Sequence, residues 1–187
     1  LFIVDWSGSM ADEIQAVLIA LNMFATNYSD KDVIKWGLLV GPEYFYPTGP
    51  GWPVEYLNLI TDPVGFQQFI GQLASMSLSV QGSREMLYDA LYLSIWNLVP
   101  LSDLPWIPNQ LDWKTNISYV DSTPSLDNFK ITWREDAHHV IIIFTDEDGQ
   151  SFLHKEVQPG IFEKGLTQEE LLEALSYTDD LHVYTFT

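Results

Sequence analysis

The chain has 187 residues, 47% of them apolar, which suits one compact domain with a sizeable core and argues against disorder. Asp and Glu number 26 against 8 Lys and Arg, a formal charge of −18; nucleic acid and anionic membranes are poor partners for such a surface, whereas divalent cations are favoured by it. Cys is absent, which excludes disulfides and thiolate chemistry, and the longest apolar stretches, Val140–Phe144 and Ala16–Leu21, are far short of a membrane span.

Leu1–Val4 is a short apolar run of the kind found in buried parallel strands. From Ala11 to about Asn27 the residues Ile14, Val17, Leu18, Leu21 and Phe24 recur at helical spacing, with Asp12 and Glu13 in a first turn where the helix dipole favours negative charge. Val33–Val40 reads as a second strand. Gly41–Pro53, rich in Gly, Pro and aromatic residues, reads as an ordered loop. Val54–Ile60 alternates apolar and polar residues and is expected to be an antiparallel edge strand. Asp62-Pro63 starts a helix with Phe66, Phe69, Ile70 and Leu73 on its apolar face. Ser75–Arg84 is polar loop, and Glu85 opens a helix to about Leu98 carried by Leu87, Leu91, Ile95 and Leu98.

Residues 99–134 hold Pro100, Pro105, Pro108 and Pro124 and are long for a connection, so they are expected to form an insertion packed on the domain rim, anchored by Trp106 and Trp113. His138 and His139 precede a strand and are expected at the surface. Val140–Phe144 is the strongest buried-strand signal. Thr167 and Glu170 form a capping box for a helix marked by Leu171, Leu172 and Leu175, and Asp180–Thr187 closes with a strand. Strands alternating with helices predict an α/β fold: a mainly parallel, doubly wound central sheet with helices on both faces and Leu1–Asp5 in its middle. The chain starts without Met and ends on an apolar run, so it is expected to be a segment of a longer protein.

In such a sheet, ligands bind beyond the carboxyl ends of the strands. Three segments bring oxygen ligands there: Asp5-Trp6-Ser7-Gly8-Ser9, Ser83-Arg84-Glu85 and Thr145-Asp146-Glu147. Asp5-x-Ser7-x-Ser9 after an apolar strand resembles the metal-ion-dependent adhesion site of von Willebrand factor A domains. The run Val140-Ile-Ile-Ile-Phe-Thr-Asp146 resembles the strand that delivers their later Asp. The resemblance covers the whole chain apart from residues 99–134. It is nearest in style to the I-like domain of integrin β subunits and related bacterial domains, on two features. Glu85 lies five residues before Ala90, where that subgroup has a Glu ligand, and Ile131-Thr132-Trp133-Arg134 looks like its Ile-Gly-Trp-Arg. Such a domain ends with one more strand and a long C-terminal helix, neither of which the chain is expected to contain.

The resemblance implies that Asp5, Ser7, Ser9, Glu85 and Asp146 hold Mg²⁺ or Mn²⁺, with Glu85 a direct ligand and Asp5 and Asp146 acting largely through water. Mg²⁺ takes six oxygens in an octahedron. The neutral hydroxyls of Ser7 and Ser9 leave its charge partly uncompensated, so a partner's Asp or Glu carboxylate can complete the shell. Asp12 and Glu13 match the acids of a neighbouring site that takes Ca²⁺ or Mn²⁺. A third integrin β site is not matched, because its positions fall on Val80, Gly82 and Arg84. Trp6, beside the metal loop, is a candidate exposed partner contact. Replacing Asp5 by Ala is expected to remove metal and partner binding while leaving the fold largely intact.

The implied function is a non-catalytic, divalent-metal-dependent protein-binding or adhesion module, extracellular or at the cell surface. An intracellular domain regulating an ATPase or chelatase assembly would use the same site and stays open, and so does a cytoplasmic location. A metal-dependent hydrolase is disfavoured. Haloacid-dehalogenase-type phosphatases need a second Asp where Ser7 stands, and Trp6-Ser7-Gly8 fails the Gly-x-Ser-x-Gly pattern of serine hydrolases.

Overall fold

The computed structural model describes residues 1–28, 34–41, 43–45, 49–50, 55–75, 84–85, 87–96, 98–100, 102–104, 111–112, 131–151, 154–158, 161–163 and 165–187. The strands are β1 (Phe2–Val4), β2 (Trp36–Val40), β3 (Glu43–Phe45), β4 (Gly49–Pro50), β5 (Glu55–Ile60), β6 (Arg84–Glu85), β7 (Leu111–Asp112), β8 (His139–Phe144), β9 (His154–Gln158), β10 (Ile161–Glu163) and β11 (Leu181–Phe186). The α-helices are α1 (Ile14–Asn27), α2 (Pro63–Ser75), α3 (Leu87–Ile95) and α4 (Gln168–Ser176), and a 3₁₀ turn over Ser9–Asp12 precedes α1.

The main sheet has five strands in the order β11-β8-β1-β2-β5. The first four are parallel to their neighbours, and β5 joins β2 antiparallel at the edge. The central place expected for the first strand and the antiparallel edge expected from Val54–Ile60 both hold, although Val54 itself lies outside the described residues. In β1, Val4 pairs with Val40 on one side and Phe144 on the other. The carboxyl ends of β1, β2 and β8 are therefore level.

Strand alternation sorts the core into two clusters. Phe2, Val4, Leu38 and Val40 pack with Ile14, Leu18, Leu21 and Ala25 of α1 and Phe66, Ile70 and Leu73 of α2. Ile3, Leu39, Ile141 and Ile143 pack with α3, with Leu171 and Ala174 of α4, and with Ile131. Helix α3 is apolar almost all round and correspondingly buried, with Asp89 and Ser94 its buried polar exceptions.

Local chemistry accounts for the ends of the elements. Pro63 occupies the first turn of α2, where its missing N–H costs nothing, and the Asp62 carboxylate accepts the Val64 N–H at 3.0 Å. The capping box on α4 is complete: Glu170 N–H donates to Thr167 Oγ1 at 3.2 Å and Thr167 N–H to Glu170 Oε2 at 2.9 Å. Gly41 ends β2 with φ 95°, a conformation that L side chains rarely adopt, and donates its N–H to Val4 O at 3.1 Å.

Several expectations are corrected. Glu85 does not open a helix: it lies in β6, which pairs with β3 in a small antiparallel sheet, and α3 starts at Leu87. Part of the loop expected over Gly41–Pro53 is strand, as β3 and β4. His139 is not a surface residue. It shares the alternation of Ile141 and Ile143, so it turns inward, where its ring lies edge-on to Trp133 and Nε2 sits 2.6 Å from Arg134 O. Leu172 of α4 is exposed, whereas Leu171 and Ala174 are buried. Most of the expected insertion, including Trp106 and Trp113, lies outside the described residues. Its segment Leu111–Asp112 pairs with β9 in a second small antiparallel sheet, whose other partner is β10.

Candidate metal centre

The site is built where β1 and β8 end side by side. Asp5 N–H donates to Phe144 O at 2.9 Å and Thr145 N–H to Phe186 O at 3.1 Å, so the ladder continues past the strands and fixes both residues. Asp5 is completely buried. Its Oδ1 accepts the Ser7 N–H at 2.8 Å and its Oδ2 accepts the Thr145 hydroxyl at 2.8 Å. The Thr145 hydroxyl in turn accepts the Glu147 N–H at 3.2 Å. One carboxylate thus ties together the two loops that leave β1 and β8.

Beside Asp5, two hydrogen bonds join three side-chain oxygens. Ser7 Oγ lies 2.9 Å from Ser9 Oγ, and Ser9 Oγ donates to Asp146 Oδ1 at 3.0 Å. Either hydroxyl of the Ser7–Ser9 pair can donate to the other. Ser7 is buried, while Ser9 and Asp146 are exposed, so the three oxygens lead from the interior to solvent. Burial pushes the Asp5 carboxyl above its ordinary range; the hydrogen bonds from Thr145 and Ser7 pull it down, and the negative charge of Asp146 adds to the rise.

The donor chemistry fits a hard cation. Oxygens at about 2.0–2.1 Å from an octahedral ion stand about 2.9 Å from their neighbours in the shell. The two spacings along the Ser7–Ser9–Asp146 line match that edge. Both Asp5 oxygens already accept hydrogen bonds, so Asp5 suits support of the shell through water better than direct ligation.

The other expected ligands stand as follows. Glu85 is held through its backbone opposite Glu43, and its side chain lies outside the description. Asp12 and Glu13 are exposed, one at the end of the 3₁₀ turn and the other at the N-cap of α1. Among the described residues, no group of three or more His, Asp or Glu side chains converges as a metal cluster; in the Asp5–Asp146 group, hydroxyls stand where further acids would be.

Trp6 is a correction. It was expected as an exposed contact, but it is only 3% exposed and packs in the cluster of Phe2, Val4 and Met10. The cause is strand alternation carried past the end of β1: Phe2, Val4 and Trp6 share a side. Thr145 is a residue that sequence reasoning passed over. Its place between a buried strand and Asp146 was visible, but its bond to Asp5, 140 residues away, was not. Asp89 and Ser151 were passed over too: the Ser151 hydroxyl donates to the buried Asp89 carboxylate.

No family model matches the chain, and no curated protein matches it. The functional reading therefore rests on the chain's own residues.

Proposed function

We propose that this chain is a von Willebrand A-type domain, doubly wound, that binds a protein partner through a divalent metal ion. The residues that would hold the ion are Ser7, Ser9 and Asp146, with Asp5 behind them and Glu85 from the neighbouring segment. When bound, Mg²⁺ or Mn²⁺ supplies a Lewis-acid centre whose remaining position takes an Asp or Glu oxygen of the partner. Asp5 orients the Ser7 loop and supplies negative charge from the interior. Ser7 and Ser9 contribute oxygens without charge, which keeps the centre electrophilic. Asp146 sits at the solvent end, where a partner can approach.

The observation that carries this reading is the line Ser7 Oγ–Ser9 Oγ–Asp146 Oδ1, spaced at 2.9 and 3.0 Å at the carboxyl ends of β1 and β8. The strand order β11-β8-β1-β2-β5 with one antiparallel edge supports it. We take the module to be non-catalytic and to act outside the cell or at its surface. No helix among the described residues is long and apolar enough to cross a membrane.

The test is calorimetric titration of the chain with Mn²⁺ and with Mg²⁺, beside Ser9→Ala and Asp146→Ala. Saturable one-site binding is expected in the wild type, weakened at least tenfold in each variant. Absence of binding in the wild type, or equal affinity in all three proteins, would overturn the proposal.

A further inference from the structure

Three contacts lock Tyr88 and Asp89 at the start of α3, soon after Glu85, to residues 149–151, which follow Asp146. The Tyr88 N–H donates to Gln150 O at 3.1 Å. The Ser151 hydroxyl donates to Asp89, whose carboxylate is completely buried. The Tyr88 ring lies so close over Gly149 that a Cβ there would overlap Tyr88 Cε1 and Cδ1. A third segment closes the assembly from behind. Leu166 N–H donates to Ser151 Oγ at 2.9 Å, and a Cβ on Gly165 would stand 2.7 Å from Ser151 O.

We propose that Asp89, Ser151 and Gly149 form a clamp that sets the separation of Glu85 and Asp146, and so the affinity of the metal centre. This rests on the proposed function above and names positioning residues for it. Asp89 lies four residues after Glu85, and Ser151 five residues after Asp146, so their bond fixes the relative position of the two backbones. The Glu85 backbone is pinned on its other side by pairing with Glu43. Asp146 itself is exposed, and an exposed acid on an untethered loop would lose conformational freedom on ligation. The clamp removes that freedom in advance. A carboxylate buried in α3 is costly to keep, and its hydrogen bond from Ser151 offsets part of that cost only while the loop stays in place. Groups that hydrogen-bond a metal ligand directly govern affinity by roughly 10- to 100-fold, and a clamp acting through the backbone is expected at the low end of that range.

The experiment compares the whole chain with Ser151→Ala, with Ser151→Thr as the hydroxyl-retaining control and Gly149→Ala as a second way of prising the loop from Tyr88. In the metal-free protein, well below its unfolding temperature, Ser151→Ala should speed amide exchange across 146–151 and leave β1 and β8 unchanged. Its Mn²⁺ affinity should fall about tenfold. Water-proton relaxation by the bound Mn²⁺ should rise as a protein oxygen gives way to water. Gly149→Ala should behave likewise, and Ser151→Thr should restore wild-type values. A strut that only adds stability would lower the unfolding temperature and leave the Mn²⁺ Kd of the folded protein unchanged; that result overturns the clamp and leaves the metal site standing. Failure of the wild type to bind Mn²⁺ overturns the site itself, and the clamp's role with it.

Discussion

Asp5 separates the stability of the site from its affinity, because two substitutions there have opposite consequences. In Asp5→Ala the Ser7 N–H loses its acceptor in a buried loop, which costs about 1–3 kcal/mol. The Thr145 hydroxyl loses less, since Glu147 O already lies 3.4 Å from it and can take its proton. Part of the loss is offset by removing a desolvated charge beside Asp146. The net expectation without metal is a destabilisation of roughly 2 kcal/mol. That revises the expectation, drawn from spacing alone, that Asp5→Ala leaves the fold largely intact. Asp5→Asn keeps an oxygen for Ser7 and sheds the charge, so it should be neutral or stabilising without metal. Both variants should lose at least tenfold in Mn²⁺ affinity, about 1.4 kcal/mol. Urea unfolding in EDTA and with Mn²⁺ reads both effects. Saturating metal at about a hundred times Kd should add about 2.7 kcal/mol to the wild type and clearly less to either variant. If Asp5→Asn unfolds in EDTA as readily as Asp5→Ala, or gains as much from Mn²⁺ as the wild type, the account of Asp5 is wrong.

Two further outcomes follow from the same region. Trp6→Ala should destabilise the domain by about 3–5 kcal/mol, as for other buried aromatics, whereas Trp6→Phe should cost little, because the Trp6 indole N–H is buried with no hydrogen-bond partner among the described residues; chemical denaturation checks both, and a Trp6→Ala protein as stable as the wild type would return Trp6 to the surface. The pH dependence has a definite sign: with the folded Asp5 pKa raised by burial, the folded state holds this proton more tightly than the unfolded chain. Its contribution to metal-free stability is present in full below the unfolded pKa and is lost as pH rises through the folded pKa. Asp5→Asn should flatten that part of the stability profile in EDTA, and an unchanged slope would refute the assignment.

The sheet was legible because its inner strands read as unbroken apolar runs, Leu1–Val4 and Val140–Phe144 above all. The antiparallel edge announced itself by alternation. Alternation also held information that spacing arguments left unused. Trp6 follows Phe2 and Val4 inward, and His139 precedes Ile141 and Ile143 on the same side, so both were assignable to the interior. Polarity near a motif was the wrong guide to exposure at these positions. The small sheets were harder. Glu85 is in a strand through its pairing with Glu43, a tertiary partner that local helical spacing does not reveal. The β9–β10 pair is antiparallel, with a register shift between Ile161 and Phe162 that no apolar pattern announces.

The candidate site shows the same division between what spacing encodes and what packing adds. Spacing pointed to side chains that carry oxygen, of which Asp5, Ser7, Ser9 and Asp146 lie together where β1 and β8 end. It could not rank them, because rank depends on burial and on hydrogen bonds already made. Asp5 is innermost, with both oxygens accepting hydrogen bonds, while Ser9 and Asp146 are outermost. Without a cation this arrangement works against the fold: one carboxylate is desolvated, and a second stands close enough to raise its pKa further. A protein selected for stability alone would place an apolar residue or an amide at position 5, since a buried charge left uncompensated is costly. Under the proposed function, the carboxylate at that position gives up stability for a ligand of opposite charge. A dication at Ser7, Ser9 and Asp146 would reverse both penalties at once. The same two charges that weaken the fold without metal would then supply the affinity, and the short metal–carboxylate bond to a partner would outweigh the repulsion of the acidic surface, which salt screens beyond about 8 Å.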